Sequence, residues 1–472
     1  MLFRTCFSQV MIALLFIFGC TKSNEADRPL AVIEGKTISM EDFRNRAELT
    51  PRPQLHGSSG DEKRVLLELL INEKLLAVEA EQNGLNKTEE FRDLLALSEE
   101  LSVSRELYTE EVQKKVTVSH KEAASIVEKM SETRTVAFLF ARERNNLEEL
   151  RNKLSNGATF DDIIRDQFGL AADTSKFRMS ITWGNNETAI DEAVYDLSMG
   201  SISPVIKTSH GYALFKLENI QKQIILSETD YTKLLHQAEK IQRARKESVR
   251  SDEFVSEVMK NVDVDIDENA FVIFSNSLMA HMNFNKNEDA QLRSNPKKLE
   301  SSELMQAETI LENHRDYVIL RFSDITWNID ALMRKWKMIN PPIATSSPND
   351  CRRSIARTLS TMIRDKMLAE EGYKRGYARR QSVTKDVFLW QDYFLYNLQK
   401  QKIFTENSGK NDFDWKNYFQ NIREKYHVEV NNELLAELPL TDIPVLAVRP
   451  GQYGSLAVPF WPIFESPQKD VQ

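Results

Sequence analysis

Gly200-Ser201-Ile202-Ser203-Pro204-Val205-Ile206-Lys207-Thr208-Ser209-His210-Gly211-Tyr212-Ala213-Leu214-Phe215-Lys216-Leu217-Glu218 decides how this chain reads. The Gly-Ser pair is a turn and Ile-Ser-Pro-Val a short extended segment. From Tyr212 the residues alternate, Tyr212, Leu214 and Lys216 against Ala213, Phe215 and Leu217, as the two faces of a strand do. This predicts one half of a small antiparallel sheet that closes a compact α/β unit. Upstream, Val136-Ala137-Phe138-Leu139-Phe140 is too short for a helix and is flanked by charge, so it reads as a buried strand. A helix is expected over roughly 146–154, stopping at Gly157. Thr159 is placed to cap a second helix through Ile164. Trp183-Gly184 and a helical stretch over 190–197 lead back to Gly200.

The order of these elements, with Gly157-Ala158-Thr159-Phe160, Trp183-Gly184 and the closing Gly200–Leu217 segment, resembles a parvulin-type peptidyl-prolyl isomerase domain over Arg134 to Asn219. The resemblance implies a pocket for proline-containing peptide lined by Trp183, Ile190, Tyr195, Ala137 and Ala213. The family places one His in the first strand and another directly after the Gly-Tyr of the last, facing each other under the substrate. The aligned positions here are Ala137 and Ala213. The family's polar residue after the second helix falls in 169–174, where Asp173 is the only acid, and Thr208 keeps the family's Thr. His210, two residues before Tyr212, reads as an exposed turn histidine before it reads as a displaced functional one. Thr208, His210 and Asp173 are therefore the catalytic candidates. Prolyl isomerisation needs only a pocket that favours the twisted amide over a barrier of roughly 18–20 kcal/mol, so losing both imidazoles weakens the expectation of activity without removing it.

Met1–Cys20 reads as a targeting segment: Arg4, the apolar run Val10–Phe18, then Gly19-Cys20. Ile17-Phe18-Gly19-Cys20 resembles a bacterial lipobox, with Phe18 bulkier than usual. That resemblance implies a signal peptide over 1–19, lipid on Cys20, and a polar tether over 23–28. An ordinary secretory signal cleaved elsewhere is the alternative. Thr21 in place of Asp favours outer-membrane sorting, with the protein on the periplasmic side. Of Cys6, Cys20 and Cys351, only Cys351 would remain as a thiol, so no intramolecular disulfide is expected. Cys351 lies beside Arg352 and Arg353 and reads as a helix-start residue. A net charge of −9 argues against a nucleic-acid partner, and 41% hydrophobic residues with only 15 Gly and 14 Pro among 472 fit a helix-rich globular protein of two or three domains.

After the leader, 30–43 reads as strand, turn, strand and a helix capped by Ser39 with Asp42 completing the box. A helix over 61–83 ends at Gly84, and Asn86 is read as the cap of a further long helix to about Lys115. Leu67–Leu85, placed before a parvulin-like unit, resembles the N-terminal chaperone region of SurA and PrsA-type foldases. In those families a C-terminal helix returns to complete one chaperone core, which implies that 228–260 does so here. The second half repeats the first. Ile319–Thr326 echoes Val32–Ser39, and 363–377 echoes 71–85, with Lys74 against Lys366, Ala77 against Ala369 and Gly84 against Gly376 at a constant offset of 292. Tyr426–Asn432 matches the close of the first copy near Val262–Asp267.

The fold expected is α+β: a helical SurA-like core with an inserted parvulin-like domain, followed by a second, degenerate SurA-like module. Its parts are a chaperone region over 29–120, the parvulin-like domain over 132–222, a helix completing the first core over 223–270, a linker or strands over 271–316, the second module over 317–438 and an irregular tail over 439–472. Trp327, Trp336, Met333 and Met338 could line a client surface, but Met333 and Trp336 at helical spacing read as core. The seven histidines are dispersed, and no motif for metal, cofactor or nucleophilic chemistry occurs. No metal or cofactor is expected. The resulting expectation is a lipid-anchored envelope folding factor that binds unfolded or nascent envelope and secreted proteins as an ATP-independent chaperone, with isomerase activity weak or lost. Two alternatives stand beside it: an active isomerase with a rearranged site, and a structural subunit of an envelope assembly machine.

Overall fold

A computed structural model describes residues 28–53, 59–224, 227–291, 302–344, 347–407, 413–441 and 458–464. The signal segment and Cys20 lie outside the described residues. The fold is α+β. In chain order its elements are β1 (Pro29–Ile33), β2 (Lys36–Ser39), α1 (Met40–Leu49), α2 (Ser59–Gln82), α3 (Glu89–Glu111), α4 (His120–Met130), β3 (Glu132–Ala141), α5 (Arg144–Ser155), α6 (Phe160–Phe168), β4 (Arg178–Thr182), α7 (Thr188–Tyr195), β5 (Ile206–Thr208), β6 (Gly211–Lys222) and α8 (Glu228–Met259). There follow β7 (Val264–Ile266), α9 (Glu268–Gln291), α10 (Ser302–Asn313), β8 (Val318–Phe322), β9 (Ile325–Asn328), α11 (Ile329–Ile339), α12 (Pro348–Lys374), α13 (Gln381–Glu406), α14 (Trp415–Lys425), β10 (Val428–Val430) and α15 (Asn432–Glu437). The chain divides into two compact units, one of residues 1–104 with 263–472 and one of residues 105–262.

The first unit holds the repeat. Each copy opens with a hairpin whose turn carries a residue at positive φ, Glu34 at 46° and Ser323 at 48°. Each hairpin runs into a helix capped from its last residue: Ser39 forms a capping box with Asp42, and Asn328 accepts from the Ala331 amide. Each long second helix ends before a left-handed glycine, Gly84 at φ 75° and Gly376 at φ 76°, where a side chain would be strained. The cap of α3 is Thr88, whose Oγ1 accepts from the Phe91 amide, in place of the expected Asn86. Cys351 is buried at the start of α12, and burial pushes its thiol up against the weaker pull of Arg352.

The closing strands differ from the sequence expectation, because the copies exchange them. β10 pairs with β1 in a sheet ordered β10-β1-β2, while β7 pairs with β8 in a sheet ordered β7-β8-β9. The exchange is regular in detail. The Asn431 amide donates to Leu30 O at 2.9 Å and the Asp267 amide to Ile319 O at 3.1 Å. The Asn431 and Asp267 side chains then accept from the Leu434 and Ala270 amides. Val264-Asp265-Ile266 and Val428-Glu429-Val430 share one alternating pattern, so neither strand's sequence names its partner. Nor does α8 close the first hairpin; it packs on α4 within residues 105–262. The stretch over 271–316, expected as linker or strands, is occupied in its described part by α9 and α10. Phe274 of α9 is fully buried with its ring edge on Trp336 at 5.4 Å, and Met333 and Trp336 are core.

The exchange extends to the helices, since α2 packs on α13. Lys74 of α2, 5% exposed, reaches Asp392 of α13 at 2.7 Å, and Lys36 reaches the other oxygen of that carboxylate at 2.7 Å. At the related positions Lys366 of α12 reaches Glu100 of α3 at 2.7 Å. Apolar contacts follow the same relation. Ala80 packs with Leu395, while a Cβ on Gly372 would meet Val103 Cγ1 at 2.4 Å. Burial opposes ionisation of Asp392, but the Lys74 and Lys36 ammonium groups outweigh it and hold the carboxyl below its ordinary range.

Asp392→Ala leaves Lys74 buried without a counter-charge, and we expect a loss of about 3–5 kcal/mol in urea unfolding, against a smaller loss for Glu100→Ala, since Lys366 also pairs with Glu370 at 2.8 Å. The carboxyl is depressed in the folded state, so its stabilisation is complete above the unfolded carboxyl value near pH ~4 and is lost as pH falls through the folded value. Asp392→Asn therefore flattens the acid limb of stability against pH.

Candidate functional site

Residues 132–222 form a four-stranded antiparallel sheet in the order β4-β3-β6-β5. The helices that precede β4 build one face. Leu147, Leu150 and Leu154 of α5 and Phe160, Ile163 and Ile164 of α6 cover Ala137, Leu139 and Leu214. Thr159 caps α6 through a box with Asp162. The other face carries Val136, Ala213, Phe215 and Leu217, covered at one end by Trp183, Val194 and Tyr195 and by α4 and α8.

Pairing register fixes which residues share a face, because residues directly opposite on neighbouring strands project to the same side. Phe140 stands opposite Ala213, Phe138 opposite Phe215, and Ala137 opposite Lys216. Ala213 therefore faces Phe140, while Ala137, three residues from Phe140, lies beneath α5 and α6. The two alanines, expected to face each other, are fully buried on opposite sides of the sheet. On the side of Ala213 the central strands present Val136, Phe138 and Phe140 from β3 and Phe215 from β6, with no titratable pair between them.

Trp183 and Tyr195 are not pocket walls. Trp183 is 4% exposed, with Lys129 Nζ 4.0 Å and the Arg245 guanidinium 4.5 Å from its ring centre. Tyr195 meets Trp183 edge-on at 5.1 Å, its OH accepting from the Trp183 amide and donating to Glu132 O. Beneath them Asp191, fully buried, accepts from the Gly184 amide at 2.7 Å and Asn186 Nδ2 at 3.0 Å and pairs with Arg245. Arg134 donates to the carbonyls of Val194, Tyr195 and Leu197 at the end of α7.

Ile190, Thr208 and His210 do come together. With Phe140, Arg142 and Glu187 they line a cleft of about 460 Å³. Thr208 Oγ1 accepts from the His210 amide, and Ser209 Oγ bonds to both His210 Nδ1 at 2.7 Å and Glu187 Oε1 at 2.6 Å. The Ser209 hydroxyl and amide hold Glu187 below its ordinary range, so the cleft presents an ionised carboxylate. His210 is nearly fully exposed, with a side chain 91% accessible. Asp173 is not in the cleft; it caps a short turn by accepting from Ser175.

From the cleft an aromatic strip runs over β6 and β3 and on to the turn before β4 and the end of α6. Phe215 contacts Phe140 at 6.1 Å, Phe140 contacts Phe138 at 5.4 Å, Phe138 contacts Phe177 at 6.3 Å and Phe177 contacts Phe168 at 5.1 Å. Phe140 is 52% and Phe168 61% exposed. The sequence reading misses this strip by taking Val136–Phe140 as uniformly buried. The two phenylalanines two apart in that run were the available signal.

No family model matches the chain, and no curated protein does. Among solved structures it is similar to a peptidylprolyl isomerase (PrsA) from Bacillus cereus, at 16% identity and TM-score 0.23, over 52% of this chain and 95% of that one. It is also similar to PrsA from Bacillus subtilis, at 15% identity and TM-score 0.18, over 52% and 96%. A third likeness is to a structure described as SurA-like chaperones of Campylobacter jejuni, at 14% identity and TM-score 0.23, over 51% and 100%. At TM-scores this low, none of these likenesses carries weight for function.

The buried Asp191 organises the Trp183 corner, so Asp191→Ala strands Arg245 and two further donors. We expect a loss of about 3–5 kcal/mol in chemical unfolding, read from Trp183 burial by fluorescence, whereas Asp173→Ala at its exposed turn changes stability by about 1 kcal/mol or less.

Proposed function

We propose that this protein is an extracytoplasmic folding factor that holds unfolded protein segments without nucleotide and isomerises prolyl bonds slowly or not at all. The observation that carries the reading is the partly exposed strip Phe140, Phe138, Phe177 and Phe168 beside the Phe140–Thr208 cleft. Folded proteins seldom leave joined aromatic side chains on a sheet in water unless something binds there. Each apolar contact contributes about 25 cal/mol per Å² buried, and an aromatic pair about 0.5–1.5 kcal/mol beyond that. Both terms ask only that a client segment be apolar and extended, which describes unfolded or nascent envelope and secreted proteins.

The resemblance of Arg134–Asn219 to parvulin domains supports the choice of peptide as ligand, and the face Ala213 shares with Phe140 and Phe138 supports binding over catalysis. Lipid on Cys20 would hold the protein on the periplasmic side of the envelope, with the outer membrane favoured by Thr21.

The experiment is an aggregation assay on an unfolded client beside a proline-limited refolding assay, whose uncatalysed phase lasts tens of seconds or longer. Wild type is expected to suppress aggregation and leave the slow refolding phase unchanged. Phe140→Ser/Phe168→Ser is expected to need at least about fivefold more protein for the same suppression, with unfolding free energy changed by about 0.5 kcal/mol or less per exposed site. Catalytic acceleration abolished by His210→Ala would instead establish an isomerase with a rearranged site. Absence of both activities would leave a fixed-partner structural subunit.

A further inference from the structure

Residues 458–464, Val-Pro-Phe-Trp-Pro-Ile-Phe, lie in the first unit without regular secondary structure, yet Val458, Trp461 and Phe464 are buried. Pro459 and Pro462 remove two amide donors, so the segment is poorly suited to a strand ladder. Side chains of the body hold its main chain instead. Arg46 donates to Phe460 O at 2.5 Å, with its guanidinium fixed by a two-point ion pair to the fully buried Glu73 at 3.1 and 3.0 Å. Tyr396 OH accepts from the Ile463 amide at 3.1 Å and donates to Ile463 O at 3.3 Å, and Lys400 also donates to Ile463 O. Two aromatic side chains enter the body. Trp461 stands edge-on to Phe43 at 6.2 Å, and Phe464 packs on Phe419 at 4.8 Å and on Trp415 at 5.5 Å. Between them Ile463 points out, 63% exposed.

Main-chain grips that ignore sequence, combined with pockets for selected side chains, are how proteins take up extended peptides. The fit is also imperfect, since among the described residues Trp461 Nε1 is buried without a hydrogen-bond partner. An occupant with a donor-free aromatic at that position would avoid this penalty.

We propose that this groove of Arg46, Tyr396, Lys400 and the α14 aromatics is a second peptide-binding site, that residues 458–464 are its built-in occupant, and that an extended client segment with two aromatic side chains three residues apart displaces them. The proposal rests on the client-binding reading above and assigns to it a site apart from the Phe140–Phe168 strip. The tether makes the built-in occupant an intramolecular competitor, so the intact protein should bind such a segment weakly.

The test uses the full chain and a fluorescein-labelled peptide, Val-Pro-Phe-Trp-Pro-Ile-Phe, followed by anisotropy. Trp461→Ser/Phe464→Ser should bind it at least tenfold more tightly than wild type and melt at higher temperature in its presence. A peptide with Phe in place of Trp should bind more tightly still. Equal affinity for a folded variant and wild type overturns the proposal. If the variant does not fold alone, refolding it with excess peptide decides the matter: a restored cooperative melt supports the groove, and no recovery overturns it. Adding Phe140→Ser/Phe168→Ser to the variant keeps the two sites apart. Peptide binding lost with those substitutions overturns the groove, whereas retained binding beside failed aggregation suppression by wild type overturns only the sheet-face reading.

Discussion

The contact between Lys74 and Asp392 is the constraint on which the repeat depends. A carboxylate as buried as Asp392 is tolerable only where cations meet it, and both of its cations, Lys74 and Lys36, come from the other copy. That requirement brings α2 of one copy against α13 of the next. The related pair Lys366 and Glu100 does the same for α12 and α3. Once these helices are paired across copies, Ala80 meets Leu395, and Gly372 admits Val103 so closely that a Cβ there would have no room. Each copy buries part of its apolar surface with residues the other supplies: Tyr396, Ile403 and Phe419 of the second share one cluster with Leu66, Leu70 and Ile71 of the first.

This explains what the sequence made legible and what it did not. The hairpins, the Ser39 capping box, the glycines at 84 and 376 and the offset of 292 are local or periodic signals, which is why they were legible, whereas the matching cap Asn328 of the second copy was not read. The exchange of β7 and β10 is not a local property. Two three-residue strands of the same alternation can complete either hairpin, and only the assembled helices select between them. The helices α9 and α10 were obscured because the apolar residues of this stretch, Phe274 and Leu278 among them, are spaced among polar residues.

At the sheet, composition was legible and facing was not. The alternation of Tyr212–Leu217 assigns β6 its two faces, but alignment of β3 by resemblance puts Ala137 where the register puts Phe140. A displacement of three residues along a strand turns a side chain to the other side of the sheet, so Ala137 became core under α5 and α6 while aromatic rings took the open face. Trp183 was drawn inward by Lys129 and Arg245, and Tyr195 by Arg134 and the Glu132 carbonyl, partners far along the chain which their own neighbourhood does not announce.

On the proposed reading, the Phe140 strip and the groove around Arg46 would solve one chemical problem in two ways. A client without fixed structure offers only its main chain and its larger apolar side chains as dependable features. The strip would read the side chains alone, and its exposure would keep any one contact weak. The groove would read the main chain as well, through guanidinium, phenol and ammonium groups that here bond Phe460 O and the amide and carbonyl of Ile463, groups every residue but proline carries. With the segment in place Arg46 is 1% exposed and Glu73 takes two of its five N–H groups, so a further N–H needs an acceptor other than water. Phe460 O supplies that acceptor, which gives a physical reason for the chain to carry its own occupant. The indole of Trp461, without a hydrogen-bond partner among the described residues, would keep that occupant from fitting so well that no client could replace it.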